Sequence, residues 1–95
     1  MSEFCIEEKM NEIDAAKMMA DERVNDAVNN ILVELVRAEQ LHPVWPEDEQ
    51  DGIMIIEDQL EGVFYAEKGS DRLRHKLHAT AAMCIRYLIN AEWEK

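Results

Sequence analysis

Ninety-five residues of 11.0 kDa make one domain, with one modest hydrophobic core and no second. Apolar residues are 47% and charged residues 33%, a globular balance, while three Gly and two Pro supply too few turns for an all-β sandwich or barrel. The formal net charge of −11 sets the average surface against a duplex, so no direct nucleic-acid binding is expected.

The expected fold class is all-α: a small helical bundle completed by oligomerisation. One domain is expected over 1–95, with an N-terminal helical segment at 1–20 and core helices at 21–41, 48–68 and 71–92. Ser2 caps the first segment, with Glu3 in its first turn. From Met10, apolar residues recur in steps of three and four through Ile13, Ala16, Ala20, Val24, Ala27, Val28, Ile31, Leu35 and Ala38, which is a helical stripe. Whether Asp21 begins a new helix or one helix runs unbroken to about Leu41 stays open. His42-Pro43-Val44-Trp45-Pro46 ends the helix, because each proline lacks an N–H and disfavours α geometry before it. Asp48 is the next N-cap, with Glu49 and Asp51 facing the positive end of the dipole. Gly69 reads as the left-handed C′ residue of that helix and Ser70 as the cap of the last one.

On a helical wheel, Ile53, Ile56, Leu60, Val63 and Phe64 share one apolar arc, edged by Glu57, Asp58 and Glu61, with Ile55 nearly opposite. In the last helix Leu73, Leu77, Thr80, Ala81, Cys84, Tyr87, Leu88 and Ala91 form the main stripe. Ala82, Ile85 and Ile89 form a second strip. A helix apolar on two sides is covered twice, and in so short a chain the second cover is expected to be another subunit.

No apolar run approaches the roughly 20 residues of a membrane span, so no membrane partner is expected. The acidic N-terminus lacks the basic start of a signal peptide. Cys5 and Cys84 have no CxxC partner and read as reduced thiols of a cytoplasmic protein, with Cys84 in the core. Charge is uneven. Between Ala38 and Ala66 there is no Lys or Arg against eight acids, and a basic patch of Lys68, Arg72, Arg74 and Lys76 follows, with His75 and His78 among them. Such acid density serves solubility, holds a cation, or mimics nucleic acid. The spacing of Glu57, Asp58 and Glu61 puts three carboxylates on one margin, where a hard cation takes oxygen ligands; many solvated helix faces share it. His75 and His78 share a face without a third soft ligand. Trp45 reads first as a plug at one end of the bundle and second as a stacking surface. Ser2 and Ser70 are the only serines and both read as caps, so nothing points to nucleophilic catalysis.

Leu41-His42-Pro43-Val44-Trp45-Pro46-Glu47-Asp48, Ile55 to Glu61, Asp71-Arg72-Leu73-Arg74 and Thr80 to Leu88 together resemble MazG-like nucleotide pyrophosphohydrolases, above all short versions with an HPxWP loop. The resemblance covers about residues 31–90. It implies an all-α homodimer or dimer of dimers that hydrolyses a nucleoside triphosphate to the monophosphate and pyrophosphate with Mg²⁺. By that resemblance Glu57, Asp58 and Glu61 match the family's EExxE and hold the metal, with Glu57 and Glu61 as catalytic residues. Lys76, Arg72, Arg74 and Trp45 contact substrate. The family's second half-motif, ExxD, falls on Lys76 and Ala79, so two acids are missing and one has become a cation. The alternatives are a catalytically degenerate relative that binds nucleotide or a protein partner, with Lys76 paired to Asp58 or Glu61 in the metal's place, and an acidic interaction or inhibitor protein.

Overall fold

The computed structural model describes residues 14–91. The expected Ser2 cap, Cys5, Met10, Ile13 and Glu92 lie outside them, and the last helix ends at Asn90, the chain being extended at Ala91. All regular structure among the described residues is helical: α1 at 14–18, α2 at Glu22–Leu41, α3 at Glu49–Tyr65 and α4 at Asp71–Asn90. None of these helices is long and apolar enough to cross a membrane.

Local chemistry sets most of the boundaries. Tight bonds from the Ala20 and Asp21 N–H groups to the Lys17 and Met18 carbonyls close α1. Asp21 then caps α2, its carboxylate accepting the Arg23 N–H at 2.9 Å, so α2 starts afresh there. The His42 N–H donates to the Ala38 carbonyl at 2.8 Å, and Pro43 stops further winding. The Asp48 carboxylate accepts from the Gln50 N–H at 2.9 Å and the Ser70 hydroxyl from the Leu73 N–H at 3.1 Å, as their cap positions require. α3 ends earlier than the expected 68. The chain is already extended at Ala66, and Gly69, at φ +77°, belongs to a separate turn in which the Ser70 N–H bonds the Glu67 carbonyl. Gly69 is therefore the left-handed residue of the α3–α4 turn and not the C′ of α3.

α4 is the central helix and packs on both α2 and α3. Gly52 of α3 lies under the Tyr87 ring and Gly62 under the Lys76 stem, so α3 and α4 run antiparallel. The core is built from small residues. Ala38, Ala82 and Met83 form its centre, Ala82 at 0% exposure, and Leu35, Trp45, Ile55 and Ile56 pack around them. Gly52 and Ala79 are buried as well. Among the described residues no large side chain is fully buried. Small residues let helix axes approach closely but release little apolar area, and burying Met83 contributes only about 1.5–3 kcal/mol.

This packing corrects the face assignment. The main stripe expected for the last helix is only partly covered: Leu77 is 50% exposed, Leu88 is 60% exposed and Cys84 is exposed rather than core, while Tyr87 packs on Trp45 and over Gly52. The inward face of α4 is Ala79, Ala82, Met83 and Arg86, so Ala82 belongs to the protomer's own core. α3 is turned likewise. Gly52, Ile55, Ile56, Gln59, Gly62 and Val63 are covered, whereas Ile53, Leu60 and Phe64 are exposed, Phe64 by 77%. Wheel reasoning weighted by bulk marked the large-residue stripes, whereas the protomer closes on the faces that let helices come close.

Candidate functional site

Arg86 organises the junction of α2, the 42–46 loop and α4. It is 3% exposed. Its Nη2 donates to the His42 carbonyl, its guanidinium lies 5.1 Å from the centre of the Trp45 ring, and its Nε stands 3.6 Å from the Glu39 carboxylate. That Nε has no hydrogen-bond acceptor and is buried, so the charge is only loosely compensated. Trp45 also meets Tyr87 edge-to-face, ring centres 6.2 Å apart at 88°. A Cβ on Gly52 would come within 3.1 Å of the Tyr87 ring and 3.2 Å of the Trp45 ring. The loop is thus held through Trp45, which lies between the Arg86 guanidinium and the edge-to-face Tyr87 ring and beside a glycine, a packing role for this side chain.

Below this clamp a cleft of about 470 Å³ opens between α2, the loop, α3 and α4. Its apolar wall includes Leu41, Val44, Trp45, Ile55 and Met83. Its polar wall includes Glu34, Arg37, His42, Gln59, His75 and Arg86.

The expected metal ligands stand elsewhere. Positions 76 and 79 of α4 meet Gly62, Gln59 and Ile55 of α3: Lys76 covers Gly62, while Ala79 shares the cleft wall with Gln59 and Ile55. At 100° per residue that face of α3 carries Glu57 and Glu61 to the opposite side and Asp58 to the flank, and all three are exposed. No group of three His, Cys, Asp or Glu among the described residues is placed to hold a metal ion. Lys76 forms no ion pair among the described residues, so the expected bridge to Asp58 or Glu61 is not made. Arg72 and Arg74 are exposed on the first turn of α4, Arg74 4.0 Å from Asp71. His78 is half-buried, whereas His75 is exposed and lines the cleft.

No family model, curated protein or solved structure matches this chain. Geometry is therefore the ground for any functional reading. Sequence reasoning missed Arg86 and Arg37 as site residues. For Arg86 the signal was present: a lone cation inside the apolar run Ala81 to Leu88 must find buried partners, and an aromatic loop offers one.

Proposed function

We propose that this chain is a MazG-like helical protein that acts as a homodimer and binds its ligand without hydrolysing it. One observation carries the reading. The face of α3 that packs on α4 is Gly52, Ile55, Gln59 and Gly62, so Glu57 and Glu61 stand away from α4, beside the uncovered strip of Ile53, Leu60 and Phe64. The acids of the EExxE-like segment are thus separated from positions 76 and 79. The donor set does not fit the four-acid Mg²⁺ site that the resemblance implies.

The same turn of α3 supports the dimer. Helical geometry puts Leu73, Leu77, Cys84 and Leu88 of α4 on the same outer side of the hairpin as Ile53, Leu60 and Phe64 of α3, a broad apolar face for a monomer to leave in water. Glu57 and Glu61 border its far edge on α3, and Arg74 borders it on α4. A two-fold axis along the hairpin lays α3 on the other copy's α4, acidic edge on basic edge, whereas α3 on α3 would oppose like charges.

The Mg²⁺-dependent nucleoside triphosphate pyrophosphohydrolase is the second reading. In its favour, Glu57, Asp58 and Glu61 form no ion pair among the described residues. The two part on one assay: the protein with Mg²⁺ and each common nucleoside and deoxynucleoside triphosphate, with pyrophosphate release measured. We expect none above the uncatalysed rate. Release that disappears in both Glu57→Gln and Glu61→Gln would restore the enzyme.

A further inference from the structure

We infer that the cleft between α2, the 42–46 loop, α3 and α4 is a binding site for a small anion carrying a flat apolar group. It stands whether or not the chain hydrolyses anything. About 470 Å³ is within the range of small-molecule sites, and Trp45, Val44, Ile55 and Met83 supply the apolar wall such sites have.

The charge of the cleft selects the ligand. On a chain of net charge −11, this wall gathers Arg37 and Arg86 with the ring donors of His42 and His75, against one carboxylate, Glu34. Arg86 is 3% exposed, its Nε lacks an acceptor, and its nearest carboxylate, Glu39, is 3.6 Å away. Arg37 is exposed and makes no ion pair among the described residues, and its planar fork suits a carboxylate or phosphate. Two guanidinium groups and two imidazoles beside an indole ring match a ligand with an acidic end and a planar body. Acids outnumber Lys and Arg by 21 to 10 over the chain, which disfavours the same ligand over much of the remaining surface outside the exposed Lys68, Arg72 and Arg74.

Isothermal titration calorimetry of the full chain with 1-naphthyl phosphate, 1-naphthoate, 1-naphthol and inorganic phosphate tests this. At least one naphthyl anion is expected to bind about tenfold or more tightly than both naphthol and inorganic phosphate. Whether the phosphate or the carboxylate is the tighter names the acidic group, and either supports the site. Arg37→Gln and, separately, His75→Gln lie at exposed positions, so the fold tolerates them, and each is expected to weaken the anion by about threefold to tenfold. Asn29→Ala, exposed on α2 and outside the cleft lining, is expected to leave it unchanged. Equal affinity for naphthol, affinity for inorganic phosphate alone, no binding by either anion, or a loss in Asn29→Ala with none in Arg37→Gln would each overturn the inference.

Discussion

The two sides of α4 are made of different material. Inward it presents Ala79, Ala82, Met83 and Arg86, outward Leu73, Leu77, Cys84 and Leu88. The inner side carries the smaller residues and lets α2 and α3 come close; the outer side carries larger ones, of which Leu77, Cys84 and Leu88 are exposed. Close packing, not apolar bulk, decides which face this helix turns to its own chain. The proposed dimer uses the richer face. The contrast also explains why the inner side carries an arginine: Arg86 lies where α2 ends and the loop begins, so a carbonyl, a carboxylate and an aromatic ring are all in reach.

The inner side breaks most readily at Arg86. Arg86→Ala leaves Glu39, the His42 carbonyl and the Trp45 ring without their shared cation and is expected to cost about 3–5 kcal/mol, read as a lower urea midpoint. Most of a small domain's stability is of that size. An unchanged midpoint would mean that the clamp adds nothing to the fold. Ala82→Leu is the next test. Ala82 has no exposed surface, and the added carbons are expected to cost about 1–3 kcal/mol, whereas Cys84→Leu, two residues on and facing out, should leave the chemical unfolding of the protomer nearly unchanged.

The two α3 glycines sharpen the comparison, because the neighbours that would receive a Cβ differ in stiffness. At Gly62 the near atoms belong to the Lys76 stem, which swings away, so Gly62→Ala should keep its helix-propensity gain of up to about 1 kcal/mol. At Gly52 the near atoms are two rings locked edge-to-face, so Gly52→Ala should lose that gain to crowding and destabilise. Thermal melts with shifts of the same sign would contradict the account of the α3–α4 contact.

The smallest expected effect is at the start of α2. The Arg23 side chain, and after it the Arg23 backbone N–H, hold the Asp21 carboxyl below its ordinary value of 3.8. A depressed folded value stabilises above the unfolded one and is lost as pH falls through the folded one. Asp21→Asn should therefore melt below the parent at pH 6 and approach it as the pH falls below 3.8. A gap that stays constant over that interval would remove the charge from the explanation.

The helix ends were legible because each has a local cause: Asp48 and Ser70 cap, and Pro43 breaks. Asp21 was ambiguous because Met18 to Ala20 suit a helix as well as the tight turn they form. The covered faces of α3 and α4 were not legible. A wheel counts apolar side chains, and an alanine or glycine that admits a neighbouring helix scores low on it. The position of the carboxylates turns on the same point. Glu57 and Glu61 do edge the bulky stripe, but that stripe is not the one packed on α4, so among the described residues they stand apart from positions 76 and 79. The cleft depends on Arg37, Gln59, His75 and Arg86 from three helices, and no spacing along the chain announces such a meeting.

The central claim is that the large-residue side of α3 and α4 is an interface between two copies. Sedimentation equilibrium at micromolar protein, on the parent and on Leu77→Glu, tests it most directly, with circular dichroism to establish that both are helical. The account predicts a parent of twice 11.0 kDa and a Leu77→Glu chain that sediments as a helical monomer. A parent that remains monomeric up to tens of micromolar, or a Leu77→Glu chain as dimeric as its parent, would contradict it.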